Sequence, residues 1–335
     1  MSVTIKDVAK AAGVSASTVS RTISDHYSIS EETKEKVRQV MDELGYNIKG
    51  STEKIKTIGV VFPKSTVDAY ENPFYLETIR GIGMVCNQRH YIMTIITGAD
   101  DKELRTSIRF TNADGYIFLY SDIDDKLINY MYEEHLLFVL LGKATTMVNE
   151  TLCVDTDNIH AAYEAVNYLI SMGHKKIGYI GTDERRVFSF DRKNGYIQAM
   201  NENNLEIKDF YIQSLSSNTT YAHRNILKIL KRNDRPTAYL VCDDIHAVML
   251  ERLVREAGLS VPKDISIVSF NNTLFARLMN PPLTSFDINS RQLGIEAASQ
   301  LIKHIENPEL FATRIIVPYV LMKRESVAYL NENNE

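Results

Sequence analysis

A chain of 335 residues is too long for one ordinary domain, and 44% hydrophobic with 24% charged residues suits a soluble protein with large cores. No apolar run is long enough to span a membrane, and Lys6, Asp7 and Lys10 interrupt any leader-like start, so a cytoplasmic protein is expected. The net charge of −5 is uneven: residues 1–57 carry nine basic against eight acidic side chains, which leaves the acidic excess to the remainder. Cys86, Cys153 and Cys242 are far apart and odd in number, which reads as buried thiols in a reducing compartment rather than a disulfide framework or metal site.

The first helix is predicted from Thr4 as N-cap, with Ile5, Val8, Ala9 and Ala12 at i, i+3, i+4, i+7. Gly13 suits the positive φ of a tight turn, and Val14 can plug the core. A second helix starts at Ser15 or Ala16 and buries Val19 and Ile23, leaving Ala16, Ser17, Ser20 and Arg21 outside. A third follows Ser30, with Glu31 and Glu32 in its first turn, Val37, Val40, Met41 and Leu44 as its stripe, and Gly45 at its end. Three short helices around a Gly turn are how a small domain places one helix in the major groove. A small bundle with no DNA role has the same spacing. Attraction to DNA would rest on Arg21, Lys6, Lys34 and Lys49, since the head has almost no net charge.

After residue 57, short β-rich runs alternate with helical patterns. Strands are predicted at 58–62, 91–96, 115–119, 137–141, 176–180, 238–242 and 265–270, and helices at 74–90, 158–172, 190–203, 220–232 and 245–257. That alternation implies parallel sheets covered on both faces, here as two doubly wound subdomains.

Ligands bind beyond the carboxyl ends of such strands. Asp243-Asp244 and Asn271-Asn272 follow predicted strands, the segment before 190 leads to Asp191-Arg192, and the loop after the first strand carries Asn72-Pro-Phe-Tyr75. Planar polar groups beside the rings of Phe74 and Tyr75 match a saccharide better than a lipid or a bare ion. Each also has a plain reading: Asp243-Asp244 as a helix cap, Asn271-Asn272 as a turn, Arg192 as a surface ion-pair partner.

The run from Thr4 to Arg21, Thr-Ile-Lys-Asp-Val-Ala-x-x-Ala-Gly-Val-Ser-x-x-Thr-Val-Ser-Arg, resembles the N-terminal signature of the LacI/GalR family of bacterial repressors. The resemblance continues through Val154-Asp-Thr-Asp-Asn158, Met172–Gly181, Asp191-Arg-Lys-Asn-Gly-Tyr196, Arg235-Pro-Thr-Ala238, Val261–Phe270 and Pro281-Pro-Leu-Thr284. It implies an all-α helix-turn-helix head on an α/β periplasmic-binding-protein-type core of two doubly wound parallel-sheet subdomains. The implied divisions are 1–46 for the head, 47–57 for a linker and 58–335 for an effector-binding and dimerisation core. Within that core the N-lobe takes about 58–156 plus 288–316, and the C-lobe about 157–285 plus 317–330.

On this resemblance Ala16, Ser17 and Arg21 face bases, Thr18, Ser20 and Lys6 hold phosphates, and Thr4 completes the DNA-contacting set. Arg192, Asp243 and Asn271 take effector positions, where the family usually has Asp in place of Asn271. Tyr70–Tyr75, Phe118-Leu-Tyr-Ser, Leu140-Leu-Gly-Lys143 and Asp287-Ile-Asn289 are most similar to maltose-type regulators, and Asp287 joins Phe74 and Tyr75 in the ligand set.

The resemblance departs at Tyr46–Thr57, which lacks the Pro, the Ala-Arg pair and the wedging Leu of a hinge helix, and whose Gly50 disfavours one. A plain tether is expected there. The segment Ser107–Asp114 is short for its place in the core. Three crossings between lobes, near 155–158, 284–289 and 315–318, would let them close on a ligand.

The expected function is a repressor of a carbohydrate operon. It binds double-stranded, pseudo-palindromic operator DNA as a homodimer and is controlled by a small sugar of the maltose or maltodextrin class. Another sugar, or a corepressor, is the nearest alternative. A sugar-processing enzyme using Asp243-Asp244 or Asp155 and Asp157 is the distant one, since no phosphate loop, metal spacing or nucleophile elbow is visible, and a plain sugar receptor is third. No cofactor, metal or membrane is expected.

Overall fold

The computed structural model describes residues 3–23, 26–46, 56–64, 72–214 and 219–330. It divides into two compact units, residues 1–55 and 56–335. The expected tether, apart from Lys56 and Thr57, lies outside the described residues, as does Tyr70-Glu71.

In the first unit the helices are α1 (Ile5–Ala12), α2 (Ala16–Ile23) and α3 (Glu31–Glu43). Gly13 follows α1 at φ 68°, a left-handed turn that a side chain would strain. Val8, Ala9, Ala12, Val19, Val37 and Met41 form the core, with Val14, Ile23 and Val40 packed against it. Gly45 follows the C-cap Leu44 of α3 at φ 61°, and the Tyr46 amide reaches back to Met41 O at 2.8 Å. Two expectations are corrected here. Leu44 is 38% exposed, because it sits past the last full turn. Lys34 is buried with its ammonium 2.8 Å from Glu31, one turn earlier, and is therefore not presented to a phosphate.

The second unit holds two sheets. The N-lobe sheet, in spatial order, is β2 (Ile92–Ile96), β1 (Thr57–Val61), β3 (Gly115–Phe118), β4 (Phe138–Leu141), β5 (Leu152–Asp155) and β11 (Arg314–Ile316), all parallel. The C-lobe sheet is β7 (Ile212–Ser214), β6 (Ile177–Gly181), β8 (Ala238–Val241), β9 (Ser266–Phe270), β10 (Thr284–Asp287) and β12 (Val320–Met322), with only the last antiparallel. The first five strands of each sheet therefore run 2-1-3-4-5, so each sheet has a topological switch point beside its first strand.

Helices α4 (Pro73–Gln88), α5 (Asp101–Thr111), α6 (Lys126–Glu133) and α12 (Ser290–Glu306) belong to the N-lobe. Helices α7 (Asn158–Ser171), α8 (Val187–Glu202), α9 (Thr219–Leu230), α10 (Asp244–Glu256) and α11 (Leu274–Leu278) belong to the C-lobe. The chain passes between the sheets after β5, after β10 and between β11 and β12. β3 and β4 read "buried" at every position, the pattern of strands covered on both faces.

The sequence reading missed α5, α6 and β10–β12, and also α12, which at 17 residues is a long helix. α8 begins at Val187 rather than 190, which moves Asp191 and Arg192 from its first turn to its second. Within Ser107–Asp114, α5 ends at Thr111 and Asn112 caps it in the left-handed region at φ 45°. Cys86, Cys153 and Cys242 are all free and buried. Among the described residues no helix is long and apolar enough to cross a membrane.

Candidate functional sites

In the first unit α2 turns Ala16, Ser17, Ser20 and Arg21 to solvent, and Val19 inward. Ser15 Oγ caps the helix by accepting the Thr18 amide at 3.1 Å, and it lies 2.8 Å from Thr18 Oγ1. Thr18 is half-buried, tied into that cap. Lys6 is exposed on α1. Thr4 gives both its amide and its hydroxyl to the Asp7 carboxylate, at 2.9 and 2.7 Å, which fixes the start of α1. Those bonds, from the Thr4 hydroxyl first and its amide next, hold the Asp7 carboxyl below the usual range. The exposed set is a small, polar face with one guanidinium, the surface a helix needs to approach base edges closely.

In the second unit the carboxyl ends of the two sheets face each other across a partly open cavity. The N-lobe contributes Leu119–Ser121 after β3, Leu141 and Gly142 at the end of β4, Val154–Thr156 around the end of β5, and Asn72, Phe74 and Tyr75 at the start of α4. From the C-lobe come Asn158, Phe188, Arg192, Asp243 and Asn271.

Arg192 organises the polar side. It is buried, donates Nε–H to Asn158 Oδ1 at 2.8 Å and gives Nη1 to the Cys242 carbonyl. Its guanidinium lies 4.0 Å from the Phe270 ring centre and 5.1 Å from that of Phe188. Aromatic faces on a desolvated cation hold its plane still, which is what a two-point grip on a polar ligand requires. Gly195 lets α8 come close enough to α7 for this: a Cβ there would lie 2.1 Å from the Ile159 carbonyl oxygen.

Asp243 caps α10, accepting the His246 amide at 2.9 Å and lying 2.7 Å from His246 Nδ1. Burial pushes its carboxyl up, but the His246 imidazolium and then Arg192 leave it below the ordinary range. Burial opposes the charge on His246, yet Asp243 holds the imidazole protonated well above its usual range. Asn271 sits at the mouth of β9 with φ 93°, its amide bonded to Phe286 O at 2.8 Å. Across the cavity Asp155 accepts the Thr156 amide at 2.8 Å and Asn158 Nδ2 at 3.0 Å, and burial pushes it up to about 7.

Phe74, Tyr75, Arg192, Asp243 and Asn271 are thus brought together around one cavity. Asp287 is not: it does not line the space, and its oxygens accept Asn272 Nδ2 and the Asn289 amide, each at 2.8 Å, which pins the second crossing. Asp244 and Asn272, named with their neighbours at strand ends, are absent from the lining as well. Asp244 is fully buried and ties β9 to β10 by accepting Ser269 Oγ at 2.5 Å, Ser285 Oγ at 2.8 Å and the Thr273 amide at 2.6 Å.

Asp157 caps α7 through the His160 amide at 3.0 Å, so it makes no acid/base pair with Asp155. The sequence reading assigned no role to Asn158, Ser121 or Phe188. Asn158 stood inside a run already noticed, Val154–Asn158, but nothing local says that its amide faces an arginine 34 positions away.

Among the described residues one group of possible metal donors converges, Cys242, Asp243 and His246, with atoms within 4.8 Å of one another. The imidazolium and carboxylate already satisfy each other there, and Arg192 stands beside them. A further cation has little to gain at that position.

A helix-turn-helix unit joined in one chain to a two-lobed sensor with a cavity between its lobes is the build of a ligand-controlled, DNA-binding transcription regulator. Residues 4–47 match the model for bacterial regulatory proteins of the lacI family, and residues 166–327 match a periplasmic binding protein-like domain. The HTH-type transcriptional regulator MalR of Streptococcus pneumoniae is 32% identical, over 97% of this chain and 100% of that protein. A solved complex of transcriptional regulator CelR with cellobiose aligns at 26% identity with TM-score 0.75, covering 97% of this chain and 99% of the other. The lac repressor dimer bound to operator and the anti-inducer ONPF shares the fold, with TM-score 0.81 over 98% of this chain and 100% of that one at 21% identity. The chain belongs to the LacI family.

Proposed function

We propose that this regulator represses a carbohydrate-utilisation operon, and that a small sugar of the maltose or maltodextrin class, held between the lobes, lowers its affinity for operator DNA. The observation that carries the sugar reading is the cavity itself: Arg192, Asn158, Asp243 and Asn271 on one side, and the rings of Phe74, Tyr75 and Phe188 among the lining. Charged and amide groups with fixed planes read hydroxyls, and rings cover the apolar faces of a pyranose. The cellobiose bound to CelR supports a glucose disaccharide as the ligand class.

Two copies would pair so that two α2 helices read a pseudo-palindromic site, since one small head with little net charge holds DNA weakly. In this reading Ala16, Ser17 and Arg21 read bases, while Lys6, Thr18, Ser20 and the start of α1 at Thr4 meet the backbone. Sugar changes operator affinity only through its preference for one lobe arrangement over the other.

A gel shift on the DNA upstream of the chain's own gene, with and without maltose, maltotriose and cellobiose, tests this. Release by maltose or maltotriose supports the proposal. Tighter binding with sugar reverses its sign, and indifference to all three removes the sugar class.

A further inference from the structure

We propose that the two lobes are held together by a latch at the rim of the ligand cavity, with Asp122 and Arg186 as its positioning pair, and that this latch sets how readily the core opens. The segment after β3 and the segment before α8 run antiparallel across the cleft at Asp122 and Arg186. The Ile123 amide donates to Arg185 O at 2.8 Å, and the Val187 amide donates to Ser121 O at 3.0 Å. Between these two backbone bonds, Arg186 Nη1 lies 3.1 Å from Asp122 Oδ1, with both side chains under one-fifth exposed. The same guanidinium stands 5.2 Å from the ring centre of Tyr120. One helical turn further on, Lys143 of the N-lobe reaches Asp191 of α8 at 2.7 Å. Ser121 braces the N-lobe half, donating its hydroxyl to Lys143 O at 2.5 Å.

Every one of these contacts but the last joins one lobe to the other. Their C-lobe half is Arg185 and Arg186 with the first turn and a half of α8, the helix that also carries Arg192 into the cavity. Closure and the placement of Arg192 are therefore one rigid-body event, because α8 cannot leave the N-lobe without withdrawing the guanidinium. Burial costs such a pair much of its hydration, but once the pair is formed, losing one partner leaves the other charge stranded, so both are held where they meet. The latch thus biases the core toward the closed arrangement whichever sugar fills it.

The two cross-lobe amides give a readout that requires no effector. Hydrogen exchange in the full-length, sugar-free protein should show Ile123 and Val187 protected. In Arg186→Gln both should exchange on the order of tenfold faster. Sheet amides such as Val139 and Tyr179 should keep their rates. The charge-reversed double variant Asp122→Arg with Arg186→Asp should recover part of the protection, which a merely structural role for either side chain would not give.

Equal rates in the wild type and Arg186→Gln would overturn the latch, and so would fast exchange of both amides in the wild type. Should Arg186→Gln lose sheet protection too, Lys143→Gln decides by the same two amides, since Lys143 is half exposed and lies on no strand. Maltose plays no part in this measurement, so its outcome stands apart from the identity of the sugar.

Discussion

Arg192 and Asn158 meet at 2.8 Å, Nε–H to Oδ1, and this bond joins the first crossing between the lobes to the helix that carries the guanidinium. Asn158 passes the connection on, since its Nδ2 donates to Asp155 Oδ1 at 3.0 Å at the end of β5. A polar chain therefore runs from the N-lobe sheet through the crossing to the cavity wall.

Asn158→Ala should break that chain in the middle and take one hydrogen-bond partner from each of two buried groups, Arg192 and Asp155. Effector response should weaken, with the sugar concentration for half-release of operator rising at least about tenfold, while sugar-free operator affinity stays within about twofold. Titration of the gel shift with maltose checks both arms. An unchanged half-release point would show that Arg192 holds its position without Asn158.

Arg21 is the one long cation on the exposed face of α2, flanked by small residues. A guanidinium reading a guanine edge confers choice between sequences, whereas a phosphate contact does not. Arg21→Ala should therefore relax discrimination at one base pair of each half-site by about 1–3 kcal/mol. Lys6→Ala should weaken all sites alike and flatten the salt dependence. Competition binding with single-base operator variants separates the two. Uniform weakening by Arg21→Ala would place Arg21 on the backbone.

Burial raises Asp155 to about 7, well above a carboxyl in an unfolded chain, so the folded core holds a proton there that the unfolded chain has already released. Stability from this group is complete below about pH 4 and is lost as pH rises toward 7. Asp155→Asn keeps an acceptor for the Thr156 amide and removes the titration. The variant should gain on the wild type by about 1–4 kcal/mol between pH 4.5 and pH 8, read from urea midpoints. Asp122 and Asp244, both raised to about 6 chiefly by burial, titrate in both proteins and cancel in the comparison. A constant difference across that range would mean that Asp155 stays ionised in the fold.

The helices of the head were legible because every apolar residue of its core finds its partners within 45 positions, at spacings that a single helical period displays. The strands were legible for a related reason: runs such as Gly115–Phe118 and Phe138–Leu141 are apolar throughout because helices cover both faces. Arg192, Asp243, Asn271, Phe74 and Tyr75 could be chosen because each follows or flanks a strand end, where such sheets leave their ligands. Asp287 joined them only through the family resemblance of Asp287-Ile-Asn289, yet its oxygens serve Asn272 and Asn289. Periodicity says which side of an element is covered, and is silent on what covers it.

The sequence by itself determined the two-part build, the family, the head's exposed reading face and most of the cavity's candidate residues, since these follow from local period, capping and motif. Only the tertiary structure decided which strand ends look at each other across the cleft. It turned Asp244 into a brace, buried Lys34, recruited Asn158 and Phe188, and set Asp122 against Arg186 from opposite lobes. Apart from Lys34 and Glu31, one turn apart, those pairings join residues from 25 to more than 60 positions apart, and they exist only once strand order and lobe closure have brought distant backbone together. A local pattern carries the energy of its own turn or strand, and none of the energy of a contact closed by the rest of the chain.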